Sequence, residues 1–503
     1  MSEHFKKILN MSKFNGTTDY HKGLDRQLEA VISDHYIYKL MCSQSSNLYN
    51  QDLFMDKALY IDQSFLTEQI IPSIFSASEK FITNRVEAAV NRAHSNFLQY
   101  GRSNSHEVTA ADVIAEAMFD RQFLKAPKSN YNRVQLSNEI RTIIDKKEVI
   151  TLIIVALPFK SESPLKCRGE KPDLAEIDFL LNLYELIQVV ARLYQRMCTI
   201  ELDIYAKIII VSDGLRFNQI VNYPLKKLKM YQSYLKKWIK KLNIDAYVEL
   251  VDYQTLLLKH LPQTIINQKQ EIKAQAVSFY KQIMGAFSDY KSIQEALNYG
   301  IKNDPEPELS HTEGRFIPLF KSLLFSMKYK SISEYCQKRQ LDYNDIYLPI
   351  ISYIFKTSTE LDDKDLEELR LKILEEAWNA TIDYISEIKS DRDLENDPIL
   401  TCIPGAIRWT IHAKPGQLGL LIPTAHGDPV LPWHGISLFL LSKKNKLKQY
   451  NLPVIAVENM NAIPVLITND PSNQPIFYID SFIANEFQLR SLLNNNLSRA
   501  KKS

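Results

Sequence analysis

Four basic side chains lie close together in the first half of the chain. Lys160, Lys166, Arg168 and Lys171 fall within twelve residues, directly after the β-branched run Val149–Leu157. A multiply charged oxyanion needs several donors, and Lys or Arg side chains near a helix N-terminus supply both charge and hydrogen bonds. This basic loop could therefore hold a phosphate, although a solvated basic loop would have the same composition.

The same loop ends in two carboxylates. Asp173 stands where the N-cap of a helix is expected, and Glu176 follows three residues later, which is the spacing of a capping box. Capping alone explains both residues. A role beside a bound substrate is the alternative, and both remain candidates for the site.

A second loop follows the apolar run KIIIVSDGL. Gly214 permits close approach of the backbone, Asp213 can orient an amine or a hydroxyl group, and Arg216 is a further candidate for an anion contact. Asp-Gly is also a common pair in turns, so a turn without a functional role would explain Asp213 and Gly214 equally well.

The last third of the chain contains two candidate histidines. In IRWTIHA, Arg408 and His412 are four residues apart and would share one face of an extended strand. His434 follows Trp433 in the segment PWHG. Histidine can donate to an anion or move a proton near neutral pH, but most single histidines are structural.

Several kinds of site are disfavoured by spacing. Among the ten histidines there is no H-E-x-x-H, and the chain has no paired cysteines and no EF-hand loop. Neither buried run is followed by G-x-G-x-x-G or by a G-K-[ST] phosphate loop. We therefore expect no protein-bound metal and no nicotinamide or ATP site.

Composition indicates an ordinary globular protein. The chain has 503 residues, enough for two or three domains, and 61 basic residues face 59 acidic ones, for a net charge of +2. No run approaches the roughly 18 apolar residues that span a bilayer, and the five cysteines are well separated. We expect a cytoplasmic protein without nucleic-acid or membrane partners. The seven lysines of PLKKLKMYQSYLKKWIKK fit a solvated helix face better than an RNA or membrane surface.

The elements that must position these residues follow from periodicity. Val149–Leu157, KIIIVSDGL and AYVELV have the composition of buried strands, and long helical patterns separate them. Strand, helix, strand predicts a parallel sheet, in which ligands bind beyond the carboxyl ends of the strands. Both charged loops lie at that edge.

The predicted fold class is α/β, with a Rossmann-like, mainly parallel sheet and flanking helices. A helical N-terminal extension is expected over residues 1–130 and the α/β domain over 131–400, with helices from about residue 268 to 386 around a break at NDPEPELS. A smaller β-rich unit over 401–503 is expected to complete the active site. Its predicted strands are AIRWTIHA, LGLLIP, PVIAVEN, PVLITND and FYIDSF.

Five blocks in this order resemble the pyoverdine/dityrosine biosynthesis family, which includes bacterial isocyanide synthases and the fungal dityrosine spore-wall enzyme. The resemblance covers Glu139 to Ser437, and each block is moderately specific. The blocks are LPFKSES with PDLAEIDFL, then VSDGLRF, EGRFIPLFKSLLFSMKY, IRWTIH and LPWHG.

The resemblance implies a condensation between the amine of an amino acid, tyrosine or tryptophan in well-known members, and ribulose 5-phosphate as co-substrate. C2 of the sugar becomes the isonitrile carbon, without a redox cofactor or a metal. On this basis the candidate catalytic residues are Asp213, Arg408 and His412. The candidate phosphate ligands are Lys160, Lys166, Arg168 and Arg216, with Asp173, Glu176 and His434 as lesser candidates.

Two other functions remain open. An N-formyl amino acid could be the product, as in the dityrosine branch of the family, or the chain could bind a sugar phosphate without turnover. The resemblance also implies a separate iron(II) and 2-oxoglutarate-dependent oxygenase as a pathway partner. The sequence does not identify the amino acid or the oligomeric state.

Overall fold

The structure is a computed structural model of the chain. It describes residues 57–74, 79–99, 108–120, 124–125, 133–160, 163, 165–284, 316–356, 364–410, 418–420, 431–441, 447–459, 462–483, 485–486 and 488–493.

A six-stranded sheet forms the centre of the protein. Its strands, in spatial order, are β2 (Leu124–Lys125), β7 (Leu418–Leu420), β6 (Ile407–Thr410), β3 (Ile150–Val155), β4 (Ala206–Ser212) and β5 (Val248–Asp252). Every pairing is parallel except that of β2 with β7. The predicted α/β class and the parallel arrangement of the first three strands are confirmed.

The run Val149–Leu157 forms the middle of this sheet because both of its faces are covered. Leu152 and Ile154 pack into a core on one side, whereas Ile153 packs into a separate core on the other side. Alternate side chains of a strand point to opposite faces, so a strand buried on both faces has to be apolar throughout.

Helices cover both faces of the sheet. Those before β3 are α1 (Gln63–Phe65), α2 (Ile71–Ile74), α3 (Glu79–Gln99), α4 (Ala110–Met118) and α5 (Arg133–Asp145), with a π-helical turn at Leu66–Ile70. Those between β3 and β6 are α6 (Leu174–Met197), α7 (Gly214–Phe217), α8 (Leu225–Lys241), α9 (Tyr253–His260), α10 (Gln263–Met284), α11 (Phe316–Leu324), α12 (Lys330–Arg339), α13 (Tyr343–Lys356), α14 (Lys364–Arg392) and α15 (Pro398–Cys402). None of these described helices is both long enough and apolar enough to cross a bilayer.

A second, five-stranded sheet contains most of the C-terminal strands. Its order is β1 (Leu59–Ile61), β10 (Ile463–Ile467), β11 (Phe477–Ile479), β8 (Ile436–Leu441) and β9 (Leu447–Leu452). The predicted strands in PVLITND and FYIDSF are confirmed. The segments AIRWTIHA and LGLLIP instead supply β6 and β7 of the central sheet, so the C-terminal residues contribute to both sheets.

The predicted strand in PVIAVEN is wrong, because this segment forms helix α16 (Val454–Asn459). Val454 and Val457 are three residues apart and enter one small core, which is a helical spacing. The N–H groups of Val454 and Ile455 donate to the carbonyls of Lys166 and Leu165, at 3.0 and 3.2 Å. A helix N-terminus has such free donors, so the loop after β3 supplies acceptors that favour the helix.

The N-terminal region is helical where the structure describes it, as predicted, but it is also tied to both sheets. Helices α3 and α4 contact α6, and β1 and β2 each add an edge strand. The segment NDPEPELS and residues 1–56 lie outside the described residues. The boundaries at residues 130 and 400 stay predictions.

Candidate active site

The loops after β3 and β4 leave the sheet side by side at its carboxyl edge. A Cβ atom on Gly214 would lie 2.1 Å from the carbonyl oxygen of Pro158, so this close approach requires glycine. Leu157 is buried and has φ of +55°, a left-handed conformation that costs a non-glycine residue about 1–3 kcal/mol. Such strain is common at functional sites, and here it turns the chain sharply out of β3.

Five side chains beyond β3 form what we call the lysine cluster: Lys160, Cys167, Asp173, Glu176 and Tyr231. Lys160 Nζ donates to Asp173 Oδ2 at 2.5 Å and to Glu176 Oε2 at 2.8 Å, and all three side chains are 0% exposed. Tyr231 OH donates to Glu176 Oε1 at 3.2 Å. The cluster is closed to solvent, and the charge of Lys160 is compensated by two carboxylates.

The predicted capping box of α6 is part of this cluster. Asp173 is the N-cap and accepts from the N–H of Ala175 at 2.7 Å, while Glu176 accepts from the N–H of Asp173 at 2.9 Å. One pair of carboxylates therefore caps the helix and binds the ammonium of Lys160. Capping and ion pairing are both present at these positions.

Burial dominates the electrostatics of the lysine cluster. It raises the pKa of Asp173 and of Glu176, although the Lys160 ammonium acts in the opposite direction. It also raises the pKa of the Cys167 thiol to about 12, so that this thiol stays protonated near neutral pH. Burial alone would lower the pKa of Lys160, but the two carboxylates outweigh it and hold this pKa above its ordinary value.

Three blocks of the sequence meet next to this cluster. Lys166 Nζ donates to Ser326 Oγ at 2.8 Å, and the Cys167 thiol lies 3.4 Å from the carbonyl oxygen of Trp433. Burial, followed by the charges of Lys166 and Lys160, lowers the pKa of His434 well below its ordinary value. His434 is therefore a neutral imidazole near pH 7.

Arg168 points away from these groups and joins the loop to α16. Its guanidinium makes two hydrogen bonds to the carboxylate of Glu458, at 2.8 and 2.7 Å. Lys171 pairs with Asp470 at 2.7 Å in the same C-terminal region. Two of the four cations in the basic loop thus form ion pairs that attach it to the second sheet.

A second group of charges, which we call the edge cluster, lies beyond β4 and on β6. Its members are Asp213, Arg216, Glu387, Asp391 and Arg408. Arg216 Nε lies 3.0 Å from Glu387 Oε1, and Arg216 Nη1 lies 2.7 Å from Asp391 Oδ2. Both carboxylates come from α14, which covers this end of the sheet. The predicted anion contact Arg216 is therefore already paired with two carboxylates.

Helix α10 supplies a further cation that pairs with the carboxylates of Glu387 and Asp391. Lys269 Nζ lies 2.7 Å from Glu387 Oε1 and 2.9 Å from Asp391 Oδ1. Burial acts to raise the pKa of Glu387, but Arg216 and Lys269 outweigh it and hold the pKa at about 2.

Asp213 differs from the other carboxylates of the edge cluster. Like Asp391 it is partly exposed, but its carboxylate has no hydrogen bond to another side chain within the described residues and makes no helix-capping bond. Burial raises its pKa to about 6, with Arg216 acting in the opposite direction. A carboxylate with such a pKa is an effective proton acceptor near neutral pH.

Arg408 lies on β6 opposite Ile153 of β3 and contacts Asp397. Its Nε is buried and has no hydrogen-bond partner among the residues that the structure describes. Burial lowers the pKa of this guanidinium. A buried donor without a partner favours an acceptor group at this position. His412, which was expected on the same face, lies outside the described residues.

The predicted site residues thus fall into two groups at one edge of the sheet. Lys160, Asp173 and Glu176 meet in the lysine cluster with Lys166 and His434 beside it, whereas Asp213, Arg216 and Arg408 lie in the edge cluster. Sequence reasoning missed Glu387 and Asp391, whose spacing of four residues in a long helix is a common surface pattern. Within the described residues, no group of three or more His, Cys, Asp or Glu is arranged to hold a metal ion.

Comparisons with known proteins match a large part of the chain to one family. The model of the pyoverdine/dityrosine biosynthesis protein family matches residues 140–340. The chain is 24% identical over 357 residues to the L-tyrosine isonitrile synthase of Xenorhabdus nematophila, which covers 69% of this chain and 87% of that protein. It is 30% identical over 111 residues to the L-tryptophan isonitrile synthase of Fischerella ambigua, which covers 22% of this chain and 31% of that protein. The resemblance to this family is confirmed.

A solved structure also matches. The crystal structure of the PvcA protein from Pseudomonas aeruginosa covers 69% of this chain and 90% of its own, at 19% identity and a TM-score of 0.39.

Proposed function

We propose that this chain is an isonitrile synthase that builds the isonitrile on the amino group of an amino acid. The activity class is supported by the names of both relatives and by the family model. The proposed second substrate is ribulose 5-phosphate, whose C2 becomes the isonitrile carbon. No cofactor is part of the proposal.

The observation that carries this proposal is the state of Asp213. It lies at the carboxyl end of β4, where parallel sheets bind ligands, and its raised pKa makes it a base near neutral pH. When the neutral amine of an amino acid attacks a ketone, its nitrogen must give up a proton as the carbon–nitrogen bond forms. Asp213 is the proposed acceptor of that proton.

The anionic part of the sugar needs positively charged hydrogen-bond donors. Arg408 is the first proposed contact: its Nη1 pairs with Asp397, but its buried Nε has no hydrogen-bond partner among the described residues. Lys166 with the neutral His434 is the proposed second contact. Lys160, Arg168 and Arg216 each bind carboxylates, so we assign them to holding the two loops rather than to the phosphate itself. His412 keeps its proposed role in proton transfer.

The amino acid is proposed to be tyrosine or tryptophan, the substrates named for the two relatives. The enzyme is proposed to act in the cytoplasm, and a separate iron(II) and 2-oxoglutarate-dependent oxygenase is the proposed consumer of its product.

The test is to incubate the purified protein with ribulose 5-phosphate and a panel of amino acids, including tyrosine and tryptophan. We expect a product that requires both substrates, has the mass of the isonitrile acid and shows an isonitrile stretch in the infrared. A product heavier by one water would indicate the N-formyl amino acid. Saturable binding of the sugar phosphate without a product would indicate a binding protein.

A further inference from the structure

One face of α14 is directed at the start of α7. Tyr384, Glu387 and Asp391 are spaced at i, i+3 and i+7, which places them along one side of the helix. Glu387 and Asp391 both bind Arg216, which follows Asp213 by three residues. This face of α14 therefore lies over the turn that contains Asp213.

Tyr384 is held in this position by an aromatic contact. Its ring stacks on that of Phe217, with ring centroids 4.1 Å apart and an angle of 16° between the planes. Phe217 is buried, being 3% exposed, and ends α7, the helix for which Asp213 is the N-cap. The stack holds the ring in place, so the hydroxyl is the part of the side chain that is available for hydrogen bonding.

The hydroxyl of Tyr384 and the carboxylate of Asp213 interact electrostatically at this end of the sheet. Burial and the negative charge of Asp213 raise the pKa of Tyr384, so the hydroxyl keeps its proton near neutral pH. Neither group has a side-chain hydrogen bond within the part of the chain that the structure describes. A hydroxyl that can donate a proton and a carboxylate that can accept one are thus placed at the same end of the sheet, since Tyr384 stacks on Phe217 and Asp213 is the N-cap of the short helix that Phe217 ends.

We propose that Tyr384 is a further catalytic residue, which donates a proton to the ketone oxygen while Asp213 accepts a proton from the attacking amine. This inference rests on the proposed condensation between an amino acid and a ketose phosphate. It assigns the two halves of one proton exchange to two residues on different elements, α14 and the end of β4.

The exchange balances over the formation of the imine. As the carbon–nitrogen bond forms, the nitrogen gives a proton to Asp213 and the former ketone oxygen takes a proton from Tyr384. As the carbinolamine loses water, Asp213 returns its proton to the leaving hydroxyl, and the Tyr384 oxygen takes the proton from the iminium nitrogen. Both residues are restored, and the net result is one imine and one water from one amine and one ketone.

The experiment compares Tyr384→Phe with the wild type in the assay that detects the isonitrile. Phenylalanine keeps the stack on Phe217 and removes only the hydroxyl. We expect kcat to fall by about 100-fold, the scale of general acid catalysis, with the KM for both substrates nearly unchanged. A merely structural role would alter KM or the unfolding temperature instead.

Tyr205→Phe is the matched control. The hydroxyl of Tyr205 donates to the carbonyl of Ile200 at 2.9 Å, just before β4 and therefore at the opposite edge of the sheet. Loss of this hydroxyl should leave kcat at the wild-type value. The double variant Asp213→Asn with Tyr384→Phe should be little slower than the slower single variant, because both residues serve one step.

The outcomes separate the inference from the proposed function. An active wild type together with a Tyr384→Phe variant that keeps more than half of the wild-type kcat overturns the role of Tyr384 alone. A wild type that forms no isonitrile from any amino acid and ribulose 5-phosphate overturns the proposed function, and the inference with it.

Discussion

The lysine cluster and the edge cluster lie beyond neighbouring strands of one sheet, yet they differ in how their charges are satisfied. In the lysine cluster, Lys160 and its two carboxylates are fully buried and bind one another. In the edge cluster, Arg216 is paired in the same way, but Asp213 is partly exposed, and Nε of Arg408 is buried without a hydrogen-bond partner in the part of the chain that the structure describes. Of the two clusters, the edge cluster is the one in which a buried guanidinium nitrogen lacks a hydrogen-bond partner among the described residues.

This difference shows why a dense group of cations is a weak indication of an anion site. The basic loop has the composition expected of a phosphate ligand, but Lys160 and Arg168 bind carboxylates of this chain. A charge that is removed from water needs a partner, and in this loop carboxylates of the same chain supply it.

The largest expected effect is on the lysine cluster. Replacing Lys160 with methionine leaves two carboxylates buried without their cation, so the free energy of unfolding should fall by about 3–5 kcal/mol. Urea denaturation would measure it. As a control, Lys171→Met removes a partly exposed ion pair and should cost no more than about 1 kcal/mol. A Lys160→Met variant that is as stable as the wild type but binds sugar phosphate poorly would make Lys160 a ligand.

The next effect concerns the edge cluster and the rate of reaction. Asp213→Asn should lower kcat/KM by about 100-fold, since an amide cannot accept the proton of the amine. In the wild type, activity should rise with pH through about 6, the pKa of Asp213, because only the carboxylate is a base. A pH–rate profile from pH 5 to 8 tests both points. If the activity of Asp213→Asn rises with pH in the same way, another group is responsible for this pH dependence.

The smallest effect is on the pH dependence of stability. The pKa of Glu176 is raised in the folded protein, so folding is favoured while Glu176 holds its proton, and this contribution is lost as the pH rises from the ordinary value of 4.5 through the folded-state pKa. Glu176→Gln should therefore show a smaller decline of the unfolding free energy between pH 5 and 8, by about 1 kcal/mol. If the unfolding free energy declines equally in the wild type and in Glu176→Gln, other groups are responsible for this pH dependence.

Much of the α/β fold was predictable from local patterns. β-branched runs identify β3 and β4, and the Asp173 to Glu176 spacing identifies the start of α6. The helix in PVIAVEN was not predictable, because its apolar residues fit a strand as well as a helix. The helix is favoured by hydrogen bonds to the carbonyls of Leu165 and Lys166, which lie far away in the sequence.

The sequence by itself determined which residues lie at the carboxyl edge of the sheet, because strand ends follow from local composition and parallel strands place their ends together. Only the tertiary structure decided which of these charged side chains pair with an opposite charge. Glu387 and Asp391 reach Arg216 from a helix about 170 residues later in the chain, and the two contacts come from that helix crossing the sheet edge. Pairing over such separations depends on the packing of the whole chain, which no local pattern encodes.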